Sequence, residues 1–409
     1  MNTIKKDKLI VKFSLYGFLK NLKFFEPFLV IYLLDSGLSL FQIGILYSIR
    51  EIVTYLLEVP SGIFADHYGK KTELSICFIL YIVSFVFFYV GGVFGVFVIA
   101  MLFFGAGEAF RSGTHKAIIM EYLEEKNWFE HKSMVYGRTR SFSLIGSSIS
   151  SFVSILFLLQ FDNMRLLFLI CIVPYILDFI LILSYPRRFN TRSQYSSSAG
   201  RMLMQGISDL KTILRNRHLM KVTISSSLFD AVVKGIKDYI QPVLQTIILA
   251  SSFVLVRGFD SNDTLTIYLA VIYGLLYIIS SIATRNVWRL NELRKPAFLM
   301  NISMDILGVF LILMAAFIWL DSLYLIVIVY FTVIVLKDAR RPIVVDVFGE
   351  LMDKNHRATV LSVDSQFRAL FLIVLAPIAG FVADTFSIPI MLAGIGFICV
   401  LANRLIGKE

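Results

Sequence analysis

The sequence predicts an all-α integral membrane protein with twelve transmembrane helices. Of its 409 residues, 57% are hydrophobic and only 17% are charged, whereas a soluble domain is about half apolar and about a quarter charged. A soluble protein of this composition would expose large apolar patches. The apolar residues also form long runs, and a helix needs about 20 such residues to cross a membrane. A transmembrane β-barrel would instead show short alternating segments.

Twelve runs along the chain meet this length requirement. The candidate spans are residues 11–34, 40–64, 72–92, 94–114, 135–159, 165–184, 219–249, 264–286, 296–319, 322–341, 359–384 and 388–405. The basic start MNTIKKDKLIVKF resembles a signal peptide, but no small-residue cleavage site follows it. We therefore expect the first span to be retained.

The loops between the spans alternate between two compositions, one strongly basic and one with few basic residues. One set of loops carries Lys5, Lys6, Lys8, Lys70, Lys71, Lys126, Lys132, Arg187, Arg188, Arg192, Arg201, Arg289, Arg294, Lys295, Lys354 and Arg357. The other set carries only Arg165 and Arg257 beside several aspartates. Because cytoplasmic loops are enriched in Lys and Arg, both termini are predicted to be cytoplasmic. The net charge of +10 then faces anionic membrane lipids, and we expect no nucleic-acid partner.

The longest connection divides the twelve spans into six and six. It covers residues 185–218 and begins with the Ser-rich stretch YPRRFNTRSQYSSSAG. In the following stretch, RMLMQGISDLKTILRNRH, apolar residues recur at helical spacing, which is typical of an amphipathic helix at a membrane surface. The predicted organisation is an N-terminal six-helix bundle (1–184), a cytoplasmic linker with this helix (185–218), and a C-terminal six-helix bundle (219–409).

A tight polar turn, EVPSGIFADHYGKK at 58–71, joins the second and third spans. Gly62 would let another helix approach closely, and Gly69 can adopt a backbone conformation that other residues resist. Asp66 can face the positive N-terminal end of a neighbouring helix. Lys70 and Lys71 hold the loop on the cytoplasmic side.

Six spans, a long basic linker, six more spans and this loop together resemble the major facilitator superfamily of secondary transporters. That family's loop reads Gly-x-x-x-Asp, a basic residue, x, Gly and two basic residues, and only His67 departs from it here. The resemblance implies two six-helix bundles around a central cavity. It also implies that Asp66 meets the start of the eleventh span and closes a cytoplasmic gate, with Arg357 as a further partner. The string GFVAD at 380–384 ends the eleventh span on the predicted outer side, so we assign it no part in that gate.

Three further stretches are similar to a bacterial exporter-like branch of that superfamily: FRSGTHKAIIMEYL (110–123), VYGRTRS (135–141) and IKDYIQP (236–242). The fifth-span stretch SFSLIGSSISSFVSI is rich in small residues that allow close helix packing. It has one glycine, Gly146, and no proline, unlike the signature of many drug/proton antiporters in the family, which disfavours drug antiport.

Charged residues inside the spans are the candidates for solute binding and ion coupling, because such charges usually face a cavity or a partner. They are Lys23, Glu26, Arg50, Glu51, Glu108, Lys237, Asp238, Asp364 and Arg368. Spacings of three place Lys20, Lys23 and Glu26 near one face of a helix. Glu26, Glu51 and Glu108 could exchange protons. The neighbouring Lys and Arg could instead hold these carboxylates ionised, or bind an anionic solute.

These features predict a secondary active transporter of small organic solutes that works by alternating access, with a proton-coupled exporter as the leading hypothesis. The alternative is an importer or facilitator of an anionic metabolite. A transport-inactive membrane sensor and a membrane enzyme have less support. No ATP-binding loop or metal-ligand spacing is visible. We expect no enzymatic activity, cofactor or metal. We expect the protein to be a monomer in a bacterial inner membrane. As an exporter it would act as an antiporter that exchanges its solute for protons.

Overall fold

The structure is a computed structural model that describes residues 4, 6–190, 216–250, 256, 258–286, 295–351 and 357–406. Its regular secondary structure is helical, and no β-strand occurs among these residues. The predicted all-α class is therefore confirmed.

The helices are numbered here in chain order. They are α1 (Lys8–Lys20), α2 (Leu29–Asp35), α3 (Leu40–Tyr68), α4 (Lys70–Val90), α5 (Phe94–Arg111), α6 (Thr114–Glu125), α7 (Lys132–Phe161), α8 (Leu166–Leu183), α9 (Arg217–Ile236), α10 (Ile240–Ala250), α11 (Ser261–Asn286), α12 (Pro296–Trp319), α13 (Leu323–Leu351), α14 (Arg357–Thr385) and α15 (Ile388–Ile406). Short 3₁₀ segments lie at Glu26–Phe28, Phe129–His131, Arg187–Asn190 and Lys237–Tyr239.

Nine helical segments within the described ranges are long and apolar enough to cross a membrane. They coincide with the predicted spans two to six, eight, nine, eleven and twelve. The tenth predicted span lies in α13, which carries four charged residues within positions 337–341. The count of twelve spans stays a prediction, whereas membrane-spanning helices are present in both halves of the chain.

The first predicted span is not one continuous helix, which corrects the expectation for residues 11–34. Helix α1 ends at Lys20, residues 21–25 are not helical, and the 3₁₀ segment Glu26–Phe28 precedes α2. Pro27 lies in that 3₁₀ segment, where its missing N–H and fixed φ suit the start of a helix. The helical spacing that placed Lys23 and Glu26 on one face therefore does not apply, because the backbone between them is not α-helical.

The described chain falls into two compact units. Unit 1 comprises Met1–Tyr32, Ile49–Met202 and Tyr273–Ile278. Unit 2 comprises Leu33–Ser48, Leu203–Ile272 and Ile279–Glu409. The division into residues 1–184, 185–218 and 219–409 stays a prediction. Most of the predicted amphipathic helix of the linker lies outside the described residues.

Close helix packing in unit 1 follows the small residues of the fifth span. Helix α1 packs against α7 and α8, and α4 packs against α5 and α8. A Cβ added at Gly146 of α7 would overlap the carbonyl oxygen of Phe18 in α1. The Ser154 hydroxyl donates to the carbonyl of Phe24 at 2.8 Å. The prediction that small residues of the fifth span allow close packing is confirmed.

Unit 2 is built on three helix packings. Helix α9 packs against α14, and α12 packs against α13 and α15. An apolar cluster joins these elements, with Leu219, Val222, Met300, Val347 and Val363 buried within it. The charged residues described below lie on these helices, so their positions are fixed by the apolar contacts around them.

Candidate functional site

The turn at 62–71 is built around Gly69, which separates α3 from α4. Gly69 has φ 93°, a region that favours glycine, as the sequence predicts. A Cβ at this position would also overlap the Cα of Asn190. The Asn190 side chain in turn accepts a hydrogen bond from the Thr72 amide at 3.1 Å. The loop is therefore held against the 3₁₀ segment that follows α8.

The two lysines of the turn make specific contacts as well as adding positive charge. Lys70 Nζ lies 2.6 Å from Glu121 Oε2 of α6. Lys71 Nζ donates to the carbonyl oxygens of Leu183 at 2.6 Å and Tyr185 at 2.9 Å. These carbonyls lie at the C-terminal end of α8, where backbone acceptors lack intrahelical donors and a cation is favoured.

The remaining gate candidates are Gly62, Asp66 and Arg357. No described atom lies within 4 Å of a Cβ built on Gly62, and the close helix approach expected there stays a prediction. Asp66 is half-buried and makes no hydrogen bond or ion pair with a described residue. Arg357 begins α14, and its side chain lies outside the description. The gate role of Asp66 and Arg357 stays a prediction.

A polar cluster in unit 1 forms around Glu108 of α5. Its Oε2 lies 2.5 Å from Arg111 NH2, and its Oε1 accepts a hydrogen bond from Tyr81 at 2.6 Å. The ammonium of Lys23 lies over the ring of Phe104, 5.3 Å from its centroid. Glu108, proposed from the sequence as a proton-coupling residue, is thus held by an arginine and a tyrosine.

Asp178 of α8 is a buried charged residue that our sequence reasoning missed. Its side chain has no exposed surface, and neither carboxyl oxygen has a hydrogen-bond partner among the described residues. The signal was present in the sequence, because Asp178 is the lone acidic residue of the apolar run LLFLICIVPYILDFILIL. It lies within electrostatic range of Lys20, the last residue of α1.

The second span carries an ion pair between adjacent residues. Arg50 donates to Glu51 Oε1 through Nε at 3.2 Å and through NH2 at 3.0 Å. Glu51 is buried, with 7% of its surface exposed. Glu26 lies in the 3₁₀ segment that follows the break in the first span. The sequence-predicted residues of this half are therefore distributed over several local sites.

In unit 2, the seventh predicted span is also interrupted. The 3₁₀ segment Lys237–Tyr239 separates α9 from α10. Lys237 Nζ lies 3.5 Å from Asp238 Oδ1, and Asp238 Oδ2 accepts a hydrogen bond from Tyr47 at 3.1 Å. Lys237 and Asp238, both predicted from the sequence, thus contact each other, and Asp238 also contacts Tyr47.

A second charged group of unit 2 links α9 with α14. Arg368 NH1 lies 3.2 Å from Asp230 Oδ2, and its NH2 lies 3.9 Å from Asp364 Oδ2. The structure therefore brings the two sequence-predicted residues Asp364 and Arg368 together and adds Asp230.

Arg340 of α13 is the largest fully buried side chain of the described chain. Its Nε donates to the Ser303 hydroxyl at 2.7 Å, and its NH2 donates to the Ser225 hydroxyl at 3.2 Å. The guanidinium also lies 4.3 Å from the ring centroid of Phe229. Arg340 thus connects three helices of unit 2.

The N-terminal end of α3 is bound to the end of α14 within unit 2. Asp384 accepts hydrogen bonds from the amides of Leu40 at 3.0 Å and Phe41 at 2.7 Å. A Cβ at Gly44 would overlap the carbonyl of Ala376, and Ser48 donates to the carbonyl of Ile373 at 2.7 Å. The GFVAD string thus has a defined contact of its own at the predicted outer end.

Comparison with known proteins agrees with this architecture. The sequence profile of the Major Facilitator Superfamily matches residues 15–370. An uncharacterized MFS-type transporter, YxaM of Bacillus subtilis (strain 168), is 22% identical over 377 residues, covering 90% of this chain and 87% of YxaM.

Solved structures share the fold at low sequence identity. A mutant form of the nucleoside transporter NupG superposes with a TM-score of 0.81 at 15% identity, covering 98% of this chain and 100% of the other. A D-xylose-proton symporter gives a TM-score of 0.71 at 14% identity, covering 98% and 96%. The profile match spans most of the sequence, and the chain therefore belongs to the Major Facilitator Superfamily of membrane transporters.

Proposed function

We propose that this chain is a proton-coupled exporter of small organic solutes that works by alternating access. The observation that supports it is a matched interruption of the first and seventh predicted spans. Each is broken near its middle by a 3₁₀ segment, at Glu26–Phe28 and at Lys237–Tyr239. Interrupted helices at corresponding positions of two transporter halves are a good indicator of the solute site.

The two interruptions also share their chemistry. The first carries Lys23 and Glu26 and includes Pro27, and the second carries Lys237 and Asp238 and is followed by Pro242. Breaking a helix frees backbone groups to bind a solute, and charged side chains inside a membrane are costly unless they serve a partner or cavity. We infer that each of these segments contributes groups that bind the solute.

Proton coupling is proposed from the buried carboxylates. Glu51 and Asp178 are both buried, and ionisable residues inside membrane spans often mark proton pathways in transporters. Export is proposed from the similarity to an exporter-like branch. One protein with the same fold is a D-xylose-proton symporter, which is a precedent for proton coupling on this fold and does not give the direction.

The test uses purified protein in liposomes that contain a pH-sensitive dye. A proton gradient of either polarity is imposed, and cationic, neutral and anionic solutes are added in turn to wild type, Glu26→Gln and Glu51→Gln. Glu124→Gln is the matched control, because Glu124 is exposed at the end of α6. We expect solute-dependent proton flux in wild type and in the control, with a loss of at least tenfold in one of the two other variants.

The outcomes separate the alternatives. Solute movement without proton flux would leave a facilitator and contradict the coupling. Movement only towards the acidified side supports export by exchange for protons, and movement with the protons supports import. The alternative, import or facilitated passage of an anionic metabolite, is favoured by Lys20 and Lys23 of unit 1, whose ammonium groups have no carboxylate salt bridge among the described residues.

A further inference from the structure

We propose that Lys20, Lys23 and Arg111 form a subsite in unit 1 that binds the carboxylate or phosphate group of the transported solute. This inference rests on the proposed carrier function and specifies the chemistry of its substrate. It applies to either direction of transport.

The first argument is the local balance of charge. Lys20, Lys23 and Arg111 all lie within electrostatic range of the Glu108 carboxylate. Arg111 pairs directly with Glu108 at 2.5 Å, which already neutralises that carboxylate. Neither Lys20 nor Lys23 forms a salt bridge with a carboxylate of the described residues. Immediately around Glu108, three basic side chains and one paired carboxylate leave a positive excess.

The second argument concerns Asp178, the other carboxylate near Lys20. Asp178 can offset at most one of the basic groups of the cluster. Its oxygens accept no hydrogen bond from a described residue, so Asp178 does not hold the Lys20 ammonium in this conformation. A positive charge without a partner is unfavourable in a membrane-embedded region, and an anionic group from a solute would offset this cost.

The third argument is the arrangement of the groups. Lys20 is the last residue of α1, and its carbonyl accepts a hydrogen bond from Tyr175 at 3.0 Å, which fixes the end of the helix. Lys23 lies in the break and rests on the face of Phe104. The side chains of Arg111 and Glu108 are 28% and 21% exposed, so the cluster is reachable from outside the packed core. Two ammonium groups and a guanidinium suit a carboxylate or phosphate group.

An anionic lipid headgroup offers the same chemistry as a free anion. Lys20 lies twelve residues along α1 from Lys8, which corresponds to about 18 Å of helix. That depth is beyond a headgroup layer, and it favours a solute anion over a lipid phosphate.

The experiment compares matched probes that differ in charge. The full chain is purified in a neutral detergent, and its thermal unfolding is followed with nicotinate against nicotinamide, and with glycerol 3-phosphate against glycerol, at constant ionic strength. We expect at least one anionic probe to raise the Tm while its neutral counterpart does not. Equal effects of both members of each pair, or no effect of any probe, would overturn the subsite.

Variants locate the effect. Lys20→Gln with Lys23→Gln should weaken the apparent affinity for the anion at least tenfold, while the double arginine variant should keep it. Lys12→Gln is the matched control on the same helix, because Lys12 Nζ donates to Ser184 at the end of α8. If the double glutamine variant folds and the anion still raises its Tm as in wild type, the proposal is contradicted. If that variant does not fold, the comparison of charged and neutral probes on the wild type still tests the proposal.

Two further experiments test whether the subsite binds lipid and whether the bound anion is transported. Repeating the titration in phosphatidylglycerol nanodiscs and in phosphatidylcholine nanodiscs tests a lipid occupant, because loss of the anion effect only in the former would assign the subsite to lipid phosphate. Transport of the binding probe is then measured in liposomes. Anion binding without movement of any solute would contradict the carrier function alone, and movement of solutes without anion preference would contradict the subsite alone.

Discussion

The carboxylate of Asp384, at the end of α14, accepts hydrogen bonds from the backbone amides of Phe41 at 2.7 Å and Leu40 at 3.0 Å. These amides open α3 and have no intrahelical acceptor, and a negative charge is favoured at a helix N-terminus. The strings Gly62–Asp66 and Gly380–Asp384 share the pattern Gly-x-x-Ala-Asp. Asp384 thus makes at the start of α3 the kind of contact that the family resemblance predicts for Asp66 at the start of α14.

Gly44→Trp should separate the start of α3 from α14. A Cβ at Gly44 already overlaps the Ala376 carbonyl, and an indole cannot be accommodated there. We expect a cysteine placed at the buried Ser48 to react at least tenfold faster with a membrane-impermeant maleimide. Gly95→Trp is the control, because a Cβ at Gly95 meets no described atom within 4 Å. Equal labelling rates in both variants would show that this contact does not limit access.

Gly69→Ala and Gly62→Ala should have opposite effects on stability. Gly69 combines φ 93° with an overlap at Asn190, and the left-handed region costs a non-glycine residue about 1–2 kcal/mol. Gly62 is helical with open space around it, and alanine is favoured over glycine in a helix by about 0.5–1 kcal/mol. Thermal unfolding in detergent should show a lower Tm for Gly69→Ala and an equal or higher Tm for Gly62→Ala. A reversed order would contradict the described turn.

Lys71→Met should destabilise the protein more than Lys70→Met. Lys71 donates to two carbonyls at the end of α8, and hydrogen bonds from a charged group contribute about 1.5–3 kcal/mol. Lys70 pairs with Glu121, and both side chains are substantially exposed, so screening reduces that pair to about 0–1 kcal/mol. The comparison is made by thermal unfolding of the two variants at low and high salt. We expect high salt to reduce the small destabilisation caused by Lys70→Met and to leave the destabilisation caused by Lys71→Met unchanged.

Asp178→Leu should stabilise the protein. Its carboxyl oxygens are buried without described donors, and leaving such a group unsatisfied costs about 1–3 kcal/mol. Leucine has a similar volume and suits the apolar helix. We expect a higher Tm for Asp178→Leu and no change for the exposed control Glu124→Leu. A lower Tm would mean that Asp178 makes a stabilising ion pair, with Lys20 as its partner.

Asp66→Asn should slow transport without loss of folded protein. The side chain is half-buried and makes no described polar contact, so its removal has little effect on the unfolding temperature. If Asp66 closes the cytoplasmic gate through its charge, the amide weakens that closure and the transport rate falls. Normal transport by a normally expressed variant would refute the gate role.

The sequence alone determined the class of protein, most of its long helices and the tight turn at 62–71. Hydrophobic runs report membrane burial directly, because every apolar residue along about 20 positions must be compatible with lipid. The positive φ of Gly69 was also predictable, because a glycine in a tight turn between two helices can adopt a backbone conformation that other residues resist. These are local properties, and each can be inferred from a short stretch of chain.

The tertiary structure decided which charges meet. The sequence placed Glu108 among the proton-coupling candidates with Arg111 three positions away, but only the packing of α4 on α5 brings Tyr81 to the same carboxylate. It offered no reason to connect Asp384 with Phe41, 343 positions away, and Asp178 was overlooked until its lack of donors was seen. Ion pairs and unpaired charges depend on distances of a few ångströms between residues far apart in sequence, and only the packing of the helices sets those distances.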